Sequence, residues 1–304
     1  MFSEEQTAVV ERMEAGPKLP HVLQSGWAVR DELLFWWLGQ AGFCFAYRET
    51  VVLIDPYLSD YLAWKYSATE FKHERMVASP VAAEEVRRCS MVLVTHPHSD
   101  HMDPWTLPAI CQSNPSCTVV IPKPSYVTAR ERDIPEQSIL TISAGETATF
   151  DEHVTVSAVP AAHEELERDE DGEYRHLGYL IEIGGISVYH SGDTILYEGL
   201  HDWMAVHGAP SLALLPVNGR DDYLSSKGIP GNLDTMEAVG LCRSLGASWL
   251  IPHHFGMFRF NTIDLPQLRR MLQSTDLNWT IPELGAAYRV RKRNAAGNRH
   301  EHRS

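Results

Sequence analysis

Between Val94 and Trp105 the chain reads VTHPHSDHMDPW, so His96, His98, Asp100 and His101 fall within six positions, directly after the apolar run MVLV. In extended backbone, residues two apart project to the same side, so His96 and His98 share a face. Asp100 and His101 follow where the chain must turn before a helix that Pro104 can open. A lone loop histidine is more often a packed or surface residue than a ligand. Four ligand-type side chains this close would repel or compete for donors unless something cationic satisfied them, and the stretch therefore points to a divalent metal site.

One divalent ion takes about four to six ligands, and catalytic zinc commonly keeps three protein ligands and a water. Further ligands are expected at other strand ends. His163 follows VTVSAVPAA, Asp193 follows ISVYHSG, and His254 follows SWLIPH, which makes seven candidates in all. Seven are enough for two ions. Two divalent ions about 3.5–4 Å apart lower the pKa of a shared water toward ~7 and ready it for attack on a carbonyl or phosphorus centre.

Around this set, Asp55 closes the run VVLID and is a candidate to orient a ligating imidazole, or simply to open the turn before Pro56. His190 either points toward the ligands or is satisfied by backbone. An anionic substrate needs cations or amide donors nearby. The loop NGRDDYLSSKGIPGN offers Asn218, Arg220 and Lys227, and Arg259 follows soon after His254.

The elements that must position these residues read as a polar, helical arm through about residue 25, then the strands LLFWWL, FCFAY and VVLID. A long aromatic-rich segment follows, in which Tyr57, Tyr61, Trp64 and Tyr66 suit either a covering segment or a subunit contact. A helix over residues 81–88 then leads into MVLVT. Next come helices near residues 104–112 and 125–132, the strands TVVIP, SILTI, ATF and VTVSAV, a charged insertion over residues 164–175, and the pair GYLIEI and ISVYH. The last third alternates LALLP, a helix near residues 233–245, SWLIP, a helix near residues 265–272 and AAYRVR. Strand-rich halves closed by helices predict an α/β fold of four layers, an αββα sandwich in a single domain over residues 1–304. The arm covers about residues 1–30 and a loose tail about residues 292–304.

Composition narrows the function further. A formal net charge of −14 argues against nonspecific binding to nucleic acid or an anionic membrane, since both need a basic face. The acidic N-terminal stretch and the lack of a ~20-residue apolar run lead us to expect a cytoplasmic protein. The five cysteines are an odd number, without zinc-ribbon spacing, and read as reduced apolar fillers.

THPHSDH resembles the HxHxDH signature of the metallo-β-lactamase superfamily, and WLGQAGF, LIDPYLS, VPAAH, YHSGDT, LLPVNGR and IPHHFGMF have counterparts in the same order. Within it, HMD, YHSGDT and IPHHF are most similar to the branch of the L-ascorbate-6-phosphate lactonases and their uncharacterised relatives. VPAAH is closer to those relatives. The resemblance implies that His96, His98 and His163 hold one ion, that Asp100, His101 and His254 hold the other, and that Asp193 bridges both. It implies catalytic roles for Asp193 and for Asp100, which can bind a metal and carry the proton of the attacking water. Redox members of the superfamily usually have Glu where His98 stands, so hydrolysis is expected. The cofactors expected are two divalent ions, manganese or zinc. The expected partner is a small anionic substrate, a sugar-acid lactone or phosphate ester, with a homo-oligomer as the implied assembly. Lactone opening is the leading expectation. A phosphodiesterase, or a metal-binding protein without catalysis, is the alternative.

Overall fold

The computed structural model describes residues 8–25 and 29–292. Its strands in chain order are β1 (Ala8–Arg12), β2 (Val29–Gly39), β3 (Gly42–Arg48), β4 (Thr50–Ile54), β5 (Met91–Leu93), β6 (Thr118–Pro122) and β7 (Ile139–Ile142). They continue with β8 (Thr147–Thr149), β9 (Val154–Pro160), β10 (Leu177–Ile183), β11 (Ile186–His190), β12 (Leu212–Pro216), β13 (Trp249–His253) and β14 (Ala287–Lys292). One sheet has the order β1-β14-β2-β3-β4-β5-β6-β7 and the other β13-β12-β11-β10-β9-β8.

The strands of the first sheet are apolar on both sides, and each side has its own destination. Leu33, Phe35 and Trp37 of β2, with Phe43 and Phe45 of β3, Val52 and Ile54 of β4, and Met91 and Leu93 of β5, join the core between the sheets. Their alternates Leu34, Trp36, Leu38, Cys44, Val51, Leu53 and Val92 pack with Leu107, Ile110 and Ala129 on the outer face. Period-two alternation between two apolar faces is what a sheet covered on both sides requires. Each large side chain taken out of water there contributes roughly 1.5–3 kcal/mol. The helices Thr106–Ser113 and Tyr126–Glu131 carry the outer layer on this side, and Thr235–Ser244 and Leu265–Gln273 pack on the other sheet. The four-layer αββα architecture expected from the strand pattern is therefore present.

Several elements differ from expectation. Residues 8–12 of the supposed helical arm form an edge strand, paired antiparallel to β14 from Ala8↔Lys292 to Arg12↔Tyr288, because Ala8 and Val10 enter the inter-sheet core. Helix follows only at Leu19–Ser25. Over residues 81–88 only a 3-10 turn, Ala83–Glu85, forms, since the Arg87 and Arg88 N–H groups donate to the Leu23 carbonyl. Short helices at Tyr61–Lys65, Leu200–Ala205 and Asp222–Ser226 are additional. The last strand, β14, returns to the first sheet beside β2, so the chain halves do not map one to one onto the sheets. The tail over residues 293–304 lies outside the described residues. All five cysteines are free and buried, and among the described residues no helix is long and apolar enough to cross a membrane.

Candidate metal centre

The loops leaving β5, β9, β11 and β13 bring all seven expected ligands into triads within which the ligand atoms lie no more than 4.8 Å apart, and His96 and His101 each belong to two of them. His96, His98 and His163 form one triad, Asp100, His101 and His254 a second, and His96, His101 and Asp193 a third that links the two. The Asp193 carboxylate lies 3.4 Å from His101 Nε2, 3.6 Å from His163 Nε2 and 3.1 Å from His254 Nε2. One carboxylate thus reaches the rings of both outer triads. His96 Nε2 and His98 Nδ1 are 3.0 Å apart. His96, His101, His163, Asp193 and His254 are buried, and His98 is the exposed member.

Nearby side chains fix these rings. Asp55, fully buried, accepts from Thr95 N at 2.8 Å and Thr95 Oγ1 at 2.7 Å, and its Oδ2 lies 2.7 Å from His101 Nδ1. A proton held on Nδ1 in this way leaves the Nε2 lone pair facing Asp193. Gln40 donates from Nε2 to Asp100 Oδ2 at 2.9 Å, and the same nitrogen sits 3.0 Å from His254 Nε2. The Gln40 carbonyl also accepts from the His254 N–H at 3.0 Å, and both residues take left-handed backbone, with φ of 51° and 59°. Gly192, just before Asp193, has φ of 61°, and a Cβ there would come within 2.8 Å of the Leu177 carbonyl and 2.9 Å of Thr95 Cβ. Only glycine fits that turn.

Electrostatics point the same way. Burial, reinforced by His101 and His98, pushes His96 well below the usual imidazole range. Burial brings His163 down to about 3. Burial opposes charge on His101 and His254 too, but Asp193, joined by Asp55 and Asp100 at His101 and by Asp100 at His254, outweighs it and raises both. Burial also opposes charge on Asp193, yet His254 and His101 hold it well below the carboxylate range. These carboxylates thus draw positive charge to the second triad. His101 Nε2 and Asp193 Oδ1 are buried without a hydrogen-bond partner. An unpaired buried polar atom costs about 1–3 kcal/mol, and a divalent cation among these atoms would satisfy both. The imidazole and carboxylate donor set suits zinc or manganese.

His98, Asp100, His163, Asp193 and His254 of the candidate ligands line a cavity of about 290 Å³. Of the residues expected to contact substrate, Lys227 lines it. Asn218, Arg220 and Arg259 do not, and this corrects the expectation for them. Asn218 is spent on Asn261 and Asn232. Arg220 makes a two-pronged ion pair with Glu237, at 2.9 and 2.5 Å, and donates to the Asn232 carbonyl. Arg259 is exposed. His190 does not face the ligands. Its Nε2 donates to the Ala41 carbonyl at 2.8 Å and its Nδ1 accepts the Gly192 N–H at 3.1 Å, so it steadies the turn that presents Asp193. His253 stacks on His190 in the core, with centroids 4.7 Å apart. Of the aromatic segment, Tyr57 is buried against Phe258, Tyr66 lines the cavity, and Trp64 stays exposed.

The sequence did not single out His176, a buried ring 5.0 Å from His96 and 5.7 Å from His163, brought down to about 4 by burial. It lies at the end of the charged insertion, away from any strand-end pattern. Asp103 was seen only as part of HMD. Buried, it accepts from Ser59 Oγ at 2.6 Å and from Trp105 N at 3.0 Å, tying the aromatic segment to the ligand loop.

This fold agrees with what comparison finds. Residues 50–255, which include all seven ligand candidates, match the beta-lactamase superfamily domain, and the chain belongs to that family. A UPF0173 metal-dependent hydrolase of Archaeoglobus fulgidus is 27% identical over 262 residues, covering 84% of this chain and 98% of the relative. Among solved structures, Igni18, a metallo hydrolase from Ignicoccus hospitalis, superposes with a TM-score of 0.64 at 18% identity, over 86% of this chain and 100% of that one. An isothiocyanate hydrolase from Delia radicum gut bacteria gives 0.65 at 18% identity, over 84% and 97%. At these identities the two structures establish the fold.

Proposed function

We propose that the chain is a metal-dependent hydrolase that opens a small anionic ester or lactone, with lactones of the L-ascorbate-6-phosphate type as the leading substrates. The observation that carries this reading is Asp193, whose carboxylate reaches His163 on one side and His101 and His254 on the other. His96, His98 and His163 would hold one divalent cation and Asp100, His101 and His254 the other, manganese or zinc, with Asp193 common to both. Bound there, the cations supply Lewis acidity and an acidified water. Asp100, steadied by Gln40, would be placed to accept a proton from the attacking water and to return it to the leaving oxygen. Asp55 keeps His101 in the Nδ1–H form, with Nε2 turned inward.

The likeness to named metal-dependent hydrolases supports the reaction class, and the motifs shared with the lactonase branch support the lactone. The acidic balance of the chain speaks for a small substrate rather than nucleic acid. Proton release by manganese-loaded protein on L-ascorbate 6-phosphate, with Asp193→Ala as the blank, tests the reading. Release above the blank supports a lactonase. If lactones and carboxylic esters are inert while bis(4-nitrophenyl) phosphate is cleaved, the lactonase reading fails and a phosphodiesterase replaces it.

A further inference from the structure

Lys65, Arg132 and Lys227 all line the cavity, although they come from three separate places: the end of helix Tyr61–Lys65, the residue after helix Tyr126–Glu131, and the residue after helix Asp222–Ser226. Elsewhere on this acidic chain, exposed cations find carboxylates, as in Arg12–Glu283, Lys123–Glu173 and Arg243–Asp276. Among the described residues no ion pair engages Lys65 or Lys227. Lys65 Nζ instead rests 5.0 Å from the Tyr66 ring centre, and Lys227 Nζ 5.4 Å from that of Tyr223. Such contacts place an ammonium without neutralising it. Arg132 is half-buried and donates from Nη1 to the Met102 carbonyl at 2.5 Å, which leaves the rest of the guanidinium for other acceptors. The loop that carries Lys227 is fastened by Glu164, which accepts from Ser225 Oγ at 2.5 Å and Gly231 N at 2.9 Å.

The wall beside these cations is aromatic. Tyr66 and His73 stack with centroids 4.5 Å apart and planes 27° from parallel, and Phe258 meets the His73 ring edge-on at 5.1 Å. All three line the cavity. His73 Nδ1 lies 2.5 Å from the Phe71 carbonyl, which fixes the ring. A flat ring suits such a wall, with its face against the aromatic rings.

Building on the hydrolase reading, we propose that Lys65, Arg132 and Lys227 form an oxyanion subsite, and that the substrate is an ester or lactone with a flat ring bearing a carboxylate or phosphate. This anion is distinct from the group that reacts at the metal ligands.

The test compares metal-loaded protein on phenyl acetate and on 4-acetoxybenzoate, which differ by one carboxylate. The proposal expects kcat/KM at least about tenfold higher for the anion, as one good charge-assisted contact gives. In Lys65→Ala/Lys227→Ala that ratio falls toward one, and Lys65→Arg keeps most of it. A ratio near one in the unaltered protein, or a ratio that the double variant leaves unmoved, overturns the subsite. If neither ester is turned over, ester hydrolysis fails, and calorimetry with 4-hydroxybenzoate and with phenyl phosphate decides the subsite separately. Affinity lowered about tenfold by the double variant supports it, and the ligand that binds more tightly tells carboxylate from phosphate. Affinity that the variant leaves intact places the anion on the metals and overturns it.

Discussion

Asp55 and His101, 46 residues apart in sequence, meet through a 2.7 Å contact between a carboxylate oxygen and Nδ1, with both side chains wholly excluded from solvent. The contact sets the tautomer of the ring that stands between Asp193 and Asp100. Replacing Asp55 by Ala should weaken metal affinity by roughly 10–100-fold, the usual cost of losing the group that orients a ligating imidazole. Competition against a fluorescent chelator measures it. Affinity within about twofold of the unaltered protein would mean that Asp55 only closes a turn.

Gly192 makes a sharper test of how the sharing carboxylate is placed. A methyl group added there would press on the Leu177 carbonyl and on Thr95, at a backbone angle that disfavours any side chain. Gly192→Ala should lower Tm and reduce metal uptake together, whereas Asp193→Ala should reduce uptake with little loss of Tm, because the fold has its own core. Thermal melts with and without metal distinguish the two.

Protonation gives a third expectation. Burial holds His163 near 3 and His176 near 4 in the folded chain, while unfolded histidines titrate at about 6.5. The unfolded state therefore binds more protons as the pH drops, and metal-free protein loses stability from about pH 6.5 downward. For His176 alone the loss reaches roughly 3 kcal/mol once the pH is below its folded value. Urea melts of the metal-free protein at pH 7 and pH 5 check this, and His176→Phe should flatten the dependence. An unchanged slope would show that His176 is not held neutral.

Arg220→Ala should leave KM for anionic substrates alone, because the guanidinium is committed to Glu237 and to the Asn232 carbonyl. The half-exposed pair is worth only about 0.5–1 kcal/mol, so Tm should fall slightly. A raised KM would return Arg220 to the cavity.

The clustering of the candidate metal ligands was readable because the signature packs four of them into consecutive turns, and because His163, Asp193 and His254 each follow an apolar run that already announces a strand. Asp55 was readable for the same reason. The cavity was not. Lys65 and Arg132 sit at the ends of short helices whose approach to Lys227 depends on the tertiary packing, and no local pattern records that. Arg220 misled because a polar loop looks the same whether it faces a cavity or a helix. The hint lay in Glu237, which caps the helix that starts after Asp234 and is close enough to claim the guanidinium. Residues 8–12 were misread because five residues at a polar terminus show too little alternation to declare a strand that the partner β14 makes favourable.

Metal titration into chelator-stripped protein, with bound metal and hydrolysis followed in the same samples, tests the central claim most directly. The account predicts that uptake saturates at two ions per chain, that hydrolysis appears only as the ions bind, and that Asp193→Ala abolishes both the second equivalent and turnover. Hydrolysis that survives complete stripping, or an Asp193→Ala variant that binds two ions and turns over normally, would contradict it.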